Sequence, residues 1–135
     1  MYILDTNVVS ELRRPRPHGA VLAWMATLKP SQVNLAAATV GEVQVGIERT
    51  REHDAAKAAE IEGWLIDLVE SITVLPMTAD TFRIWARYMH RKSVHISGDA
   101  MIAATATQHG LTIATRNMRD FEQFPVSLFD PFKGG

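Results

Sequence analysis

The chain opens MYILDTNVVSEL, Met1 to Leu12, and the reading of this stretch decides the rest. Tyr2, Ile3 and Leu4 read as a short buried strand. Asp5 falls where that strand ends, and Thr6-Asn7-Val8-Val9 opens a helix. A carboxylate at the carboxyl end of a strand, facing a helix start, is either an N-cap, worth about 1 kcal/mol, or a piece of chemistry. Partners elsewhere in the chain must decide between the two.

Outward from this start the pattern alternates. The first helix ends before Pro15 and Pro17, because proline removes a donor and clashes with the preceding turn. Ala20 to Leu28 is a second short helix, and Gln32 to Ala37 a weakly alternating strand. Thr39-Val40-Gly41-Glu42 matches a capping box and opens the next helix. Between Asp54 and Glu70, the residues Ile61, Trp64, Leu65, Leu68 and Val69 recur at helical spacing. Ile72 to Leu75, stopped by Pro76, is strand-like. Thr78 or Asp80 caps a further helix whose predicted buried stripe is Phe82, Trp85, Ala86 and Met89. Ser97-Gly98-Asp99 precedes an alanine-rich helix ended by Gly110. Leu111 to Ala114 and Val126 to Phe129 are the last strands, with a turn from Thr115 to Asp120 and a closing Pro131 and glycine tail. Such alternation favours an α/β fold with a parallel sheet and right-handed crossovers. Ligands of these sheets bind beyond the carboxyl ends of the strands, where the strand order reverses. Asp5 stands at one such end.

Composition narrows the class. At 135 residues the expectation is one domain spanning 1–135, with a sizeable core. The absence of cysteine excludes a disulfide framework and thiolate chemistry, and suits a reducing compartment. No apolar run of about 18 residues offers a membrane span, and the start does not read as a secretory leader. A cytoplasmic protein is expected. The net charge of −1 lacks the bulk basic footprint of a nucleic-acid binder. Arginines nevertheless cluster, at Arg13, Arg14 and Arg16, at Arg49 and Arg51, at Arg83, Arg87 and Arg91, and at Arg116 and Arg119. The stripe Arg83, Arg87 and Arg91 reads as a solvated face. His90, His95 and His109 lack ligand spacing among themselves, and Trp24, Trp64 and Trp85 read as core or interface.

Four acids share a placement. Asp5 follows the first strand, Glu42 and Asp99 fall in first turns of helices, and Asp120 lies just beyond the strand Leu111 to Ala114. With a parallel sheet and the first strand central, all four lie on one rim. Each has a plain structural alternative, as a cap, a dipole partner or a turn residue. What those alternatives leave unexplained is four acids at one edge. Two carboxylates about 4 Å apart repel by about 4 kcal/mol at an effective dielectric of about 20, so a gathered set either raises its pKa values or holds a cation. Oxygen-only ligands suit Mg²⁺ or Mn²⁺ rather than zinc. Such an ion can lower the pKa of water and neutralise a phosphodiester, the logic of metal-dependent nucleases.

These residues carry a resemblance. Hydrophobic-Asp5-Thr6-Asn7, Thr39-x-x-Glu42, Ser97-Gly98-Asp99-Ala100-x-Ile102-Ala103-Ala104-Thr105-Ala106 and Thr115-Arg116-Asn117-x-x-Asp120-Phe121 together resemble the PIN-domain family, and within it the VapC-type toxins of toxin–antitoxin pairs. The likeness runs the length of the chain to Asp130-Pro131-Phe132. It implies a three-layer α/β sandwich, a central parallel sheet with the first strand in the middle and helices on both faces. It implies a Mg²⁺- or Mn²⁺-dependent endoribonuclease, a homodimer held inactive by a cognate antitoxin. By position, Asp5 and Asp99 become the principal metal ligands, Glu42 a ligand directly or through water, and Asp120 the fourth catalytic acid. Some relatives place Asp where this chain has Asn117, which makes Asn117 the rival for that role. Thr6 and Thr115 orient waters or carboxylates, and Thr6, Asn7, Thr115, Arg116 and Asn117 border the RNA substrate, with Arg116 and Arg119 toward phosphates.

Other classes fit less well. A haloacid-dehalogenase-like phosphatase needs a second acid two residues after Asp5, where Asn7 stands. A receiver domain needs an acid at the end of Ile72 to Leu75, and none is there. A non-catalytic RNA- or partner-binding domain and a nuclease acting on DNA remain the alternatives.

Overall fold

A computed structural model describes residues 1–133; the closing glycines of the sequence, 134–135, lie outside the described residues. The strands are β1 (Tyr2–Leu4), β2 (Val33–Ala36), β3 (Thr73–Leu75), β4 (Thr112–Ala114) and β5 (Leu128–Phe129). The helices are α1 (Thr6–Arg13), α2 (Gly19–Ala26), α3 (Ala37–Arg51), α4 (Ala55–Ser71), α5 (Ala79–Met89), α6 (Ser97–His109) and the short α7 (Met118–Phe121). All strand pairs are parallel, in the order β3-β2-β1-β4-β5, so the first strand is central as expected.

Side-chain alternation along the strands builds two cores, because successive residues of a strand face opposite sides of the sheet. Ile3, Ala36 and Ile113 point to one face and pack under α6 with Phe121 and Phe124. Leu4, Val33, Leu35 and Ala114 point to the other, under Val8 and Val9 of α1 and Val21 of α2, with Trp64 and Leu68 of α4 at the edge. A smaller cluster, Ile47, Ala58 and Leu65, joins α3 to α4. The result is the three-layer sandwich. Alanines make the close packing of α6 possible: Ala100, Ala103, Ala104 and Ala106 are all fully buried. Gly110 then ends that helix in the left-handed conformation at φ 63°, where glycine carries no Cβ penalty. No helix of the described residues is long and apolar enough to cross a membrane.

Two local expectations fail for a common reason, tertiary packing overriding a short motif. Thr39 does not cap α3. The helix starts directly from β2 with Ala36 at the cap, so Thr39 lies inside the first turn and Glu42 beyond it. The Thr39 hydroxyl is buried and has no partner among the described residues. On α5, Thr78 does cap the helix, and its reciprocal bonds with Thr81 set the register. Thr81 therefore faces inward, where its hydroxyl donates to Gln108 of α6. The inner face carries Thr81, Trp85, Tyr88 and Met89, while Phe82 is 47% exposed.

One buried acid fixes the turn after α1. Glu11 is only 6% exposed. Its carboxylate accepts the His18 backbone N–H at 2.9 Å and the Arg14 guanidinium at 3.3 Å, pinning the proline-rich turn between them. Burial pushes this carboxyl up, but the two donors outweigh it and hold it below its ordinary value of 4.5. A lowered pKa contributes stability that is complete above 4.5 and is lost as pH falls through the lower folded value. Glu11→Gln should therefore lower the melting temperature by several degrees near neutral pH. The gap to the parent should close as the pH is taken below 4.5, which thermal melts across pH will check.

Candidate active site

The sheet order reverses between β1 and β4. The chain moves from β1 out to β2 and β3 under helices of one face, then crosses to β4 and β5 under helices of the other. A crevice opens at such a switch point, at the carboxyl ends of the strands. Leu4 and Ala114 are register partners, so the residues that follow them, Asp5 and Thr115, sit side by side.

Asp5 is buried and tightly held. The Thr6 backbone N–H donates to its Oδ1 at 2.8 Å, which also makes Asp5 the N-cap of α1. Its Oδ2 accepts from the Thr115 hydroxyl at 2.8 Å and the Asn7 carboxamide at 3.0 Å. The two readings of the opening motif are thus not exclusive. Burial and the charge of Asp120 raise the Asp5 pKa, against the pull of these three donors.

Asn7 and Thr115 extend the hold to the loop after β4. The Arg116 N–H donates to Asn7 Oδ1 at 3.2 Å, and the Asn117 N–H to Thr115 Oγ1 at 2.9 Å. Arg116 lies over the ring of Phe132, 4.5 Å from its centroid, and Phe132 meets His18 edge-on at 5.4 Å. The closing segment therefore braces the rim. Asn117 supplies no capping bond to α7, and its own side chain makes no hydrogen bond among the described residues.

Glu42 reaches the site from α3. The Thr6 hydroxyl donates to its Oε2 at 2.8 Å. Its other oxygen lies against Gly98 in the first turn of α6, where a Cβ would come within 2.8 Å of Oε1. This partial burial of the carboxylate, with the nearby Asp5 charge, raises the Glu42 pKa. Asp99 follows Gly98. Burial and then the charges of Asp5, Asp120 and Glu42 push its carboxyl up to about 6. Asp99 thus feels the charges of the other three predicted acids. The four do not form a closed ligand shell: among the described residues no three His, Asp or Glu side chains stand within reach of one ion.

The donor set nonetheless suits a hard cation. It is all oxygen, and among the described residues none of the four acids has a Lys or Arg partner, since the ion pairs found engage Glu11, Glu48, Glu60 and Glu62. The sequence reading missed Glu11, whose partners lie across a proline-rich turn, and took Gly98 only as part of the Ser97-Gly98-Asp99 block, without its contact with Glu42.

Fold and site together define a parallel α/β domain with an acid-lined crevice at its switch point. A family model described as "PIN domain" matches residues 2–126, and the chain belongs to the PIN-domain family. It is similar to Toxin FitB of Neisseria gonorrhoeae, 33% identical over 138 residues, covering 98% of this chain and 99% of that protein. It is equally 33% identical to VapC ribonuclease Y4jK of Sinorhizobium fredii over 139 residues, with 98% and 99% covered. Among solved structures, the crystal structure of FitAcB from Neisseria gonorrhoeae superposes with a TM-score of 0.82 at 32% identity, covering 98% of this chain and 99% of that one.

The contact at Gly98 gives a direct test. Alanine is the better helix former by roughly 0.5–1 kcal/mol, but its Cβ must displace the Glu42 carboxylate. Gly98→Ala should melt no lower than the parent, and its crystal structure should show Glu42 moved away from α6. A Glu42 left in place, with the start of α6 shifted, would refute this account of the crevice.

Proposed function

We propose that this protein is a divalent-metal-dependent endoribonuclease, the toxin of a toxin–antitoxin pair, active at the Asp5 crevice. The observation that carries the reading is the set of four acids brought from four separate stretches to one crevice, with no cationic side chain paired to any of them among the described residues. The names of the similar proteins, a toxin and a ribonuclease, agree with it. By the same likeness, a cognate antitoxin is its partner.

In this reading Asp5, Glu42, Asp99 and Asp120 hold Mg²⁺ or Mn²⁺. The ion supplies charge neutralisation for the phosphodiester and a lowered pKa for the attacking water. The chain's own contribution is positioning. Asp5 is locked by three donors and cannot swing away. Thr6 holds Glu42 toward it. Asn7 ties the 115–117 loop to the same point, so Arg116 is presented at the rim. Among the described residues no three acids stand within reach of one ion, and Mg²⁺ usually takes one or two carboxylates and keeps several waters, so some of the four would hold it directly and the rest through water. Asp99 and Asp120, whose carboxylates accept no hydrogen bond among the described residues, are the least costly to move.

Asp99→Asn tests both halves. It removes one charge from a mutually repelling set. In EDTA near neutral pH the variant should therefore melt a few degrees higher, on the order of 1 kcal/mol after allowing for the screening of a partly exposed group. Mg²⁺ should raise the melting temperature of the parent by mass action and leave Asp99→Asn almost unmoved. RNA cleavage by the variant should fall at least about a hundredfold. A parent indifferent to Mg²⁺ and Mn²⁺, or a variant cutting RNA at the parental rate, would overturn the proposal.

A further inference from the structure

A groove of about 240 Å³ leaves the crevice between α1 and α3. Thr6 and Glu42, which are hydrogen-bonded to each other, line it at the end nearest the acids. From there Thr6, Ser10 and Arg13 follow one face of α1 at positions i, i+4 and i+7. The helical rise puts Arg13 about 10 Å along the axis from Thr6. Val43, Ile47 and Ile61 give the groove an apolar floor, and Thr50 of α3 also lines it, its hydroxyl donated to the Gly46 carbonyl.

The charge pattern along this groove is uneven. One end is acidic. At the other, Arg13 makes no ion pair among the described residues, whereas its neighbour Arg14 is engaged with Glu11. On α3, Arg51 is likewise engaged, with Glu48 and Glu62. Arg13 is thus a cation left available beside a site that gathers negative charge. The groove is smaller than the roughly 300–1,000 Å³ of a drug-sized pocket, a size that suits one unit of a longer polymer.

We propose, on the ribonuclease reading above, that this groove holds the nucleotide adjoining the scissile bond, its sugar and base on the apolar floor and its far phosphate at Arg13. A strand whose scissile phosphate lies among the acids must leave the crevice along some surface. This groove begins at Glu42, one of the four acids, and carries a cation about 10 Å further along α1. Arg13 acts through the substrate's charge, so it governs binding of every sequence alike rather than the choice of base.

The test uses full-length protein with Mg²⁺ and a single-stranded oligoribonucleotide containing one bond that the parent cuts. Arg13→Gln should raise KM roughly tenfold, leave kcat within about twofold, and reduce the salt slope of binding by about one. Its melting temperature should match the parent's, since Arg13 makes no ion pair to lose. In the parent, a neutral methylphosphonate at one of the two phosphates flanking the cut should cost a similar factor. The same substitution should cost Arg13→Gln nothing further. An unchanged KM and salt slope, or losses that simply multiply, would overturn the subsite while leaving the nuclease reading intact. If KM holds but Arg13→Gln weakens capture of the cognate antitoxin, the groove takes a protein segment and the RNA assignment is wrong. If the parent binds Mg²⁺ yet cuts no RNA, the ribonuclease reading itself fails and the subsite falls with it.

Discussion

The structure depends on the pairing of β1 with β4. That register sets Asp5 beside Thr115 at the point where the strand order reverses, and the Thr115 hydroxyl closes the junction with a buried hydrogen bond. A slip of one residue would turn Ile3 and Leu4 to the wrong faces and break both cores. The same register that buries the apolar strand therefore aims the carboxylate. Packing and chemistry are specified by one alignment, and neither can be altered alone.

Much of this was legible in the sequence because it is local. The alternation of Tyr2, Ile3 and Leu4 with Asp5 at the end states both the strand and its exit. The alanines of α6 and Gly110 behind them state a helix that packs closely and stops. The positions that misled are those where a short motif competed with distant contacts. Thr39 and Glu42 have the spacing of a capping box, but β2 runs into α3 without a break, and Glu42 serves Thr6 instead. Phe82 looked like core by hydrophobicity, but the Thr78 and Thr81 pair turned the helix so that a threonine faces inward. Glu11 gave no signal, because a backbone N–H beyond a proline turn leaves no pattern to read, and Gly98 stood in the Ser97-Gly98-Asp99 block without showing that its missing Cβ makes room for Glu42.

The closing segment has a similar double role. Phe132 packs among the residues of the α1–α2 side of the sheet, yet its ring also carries Arg116 and leans on His18. His18 is in turn fixed through its backbone by Glu11. A line of contacts thus runs from the turn after α1, through the closing segment, to the loop that borders the acids. A cation over an aromatic ring is worth roughly 0.5–1 kcal/mol at an exposed site, modest for stability but enough to bias where a flexible arginine points.

The four acids differ in how firmly they are held, and the difference has a physical logic. Asp5 has three donors, Glu42 has one, and neither Asp99 nor Asp120 has a donor to its carboxylate among the described residues. A site that locked all four at close range would carry its full mutual repulsion at all times, several kcal/mol against the roughly 5–15 kcal/mol of a typical domain. Fixing one acid and leaving others free to relax lowers that cost; the Asp99 carboxyl is still pushed up to about 6, by burial first and by the charges of Asp5, Asp120 and Glu42 after it. Rigidity is placed where the fold needs a cap, at Asp5, and freedom where only charge is needed. The crevice is thus stable enough to fold and still charged enough to attract a counterion.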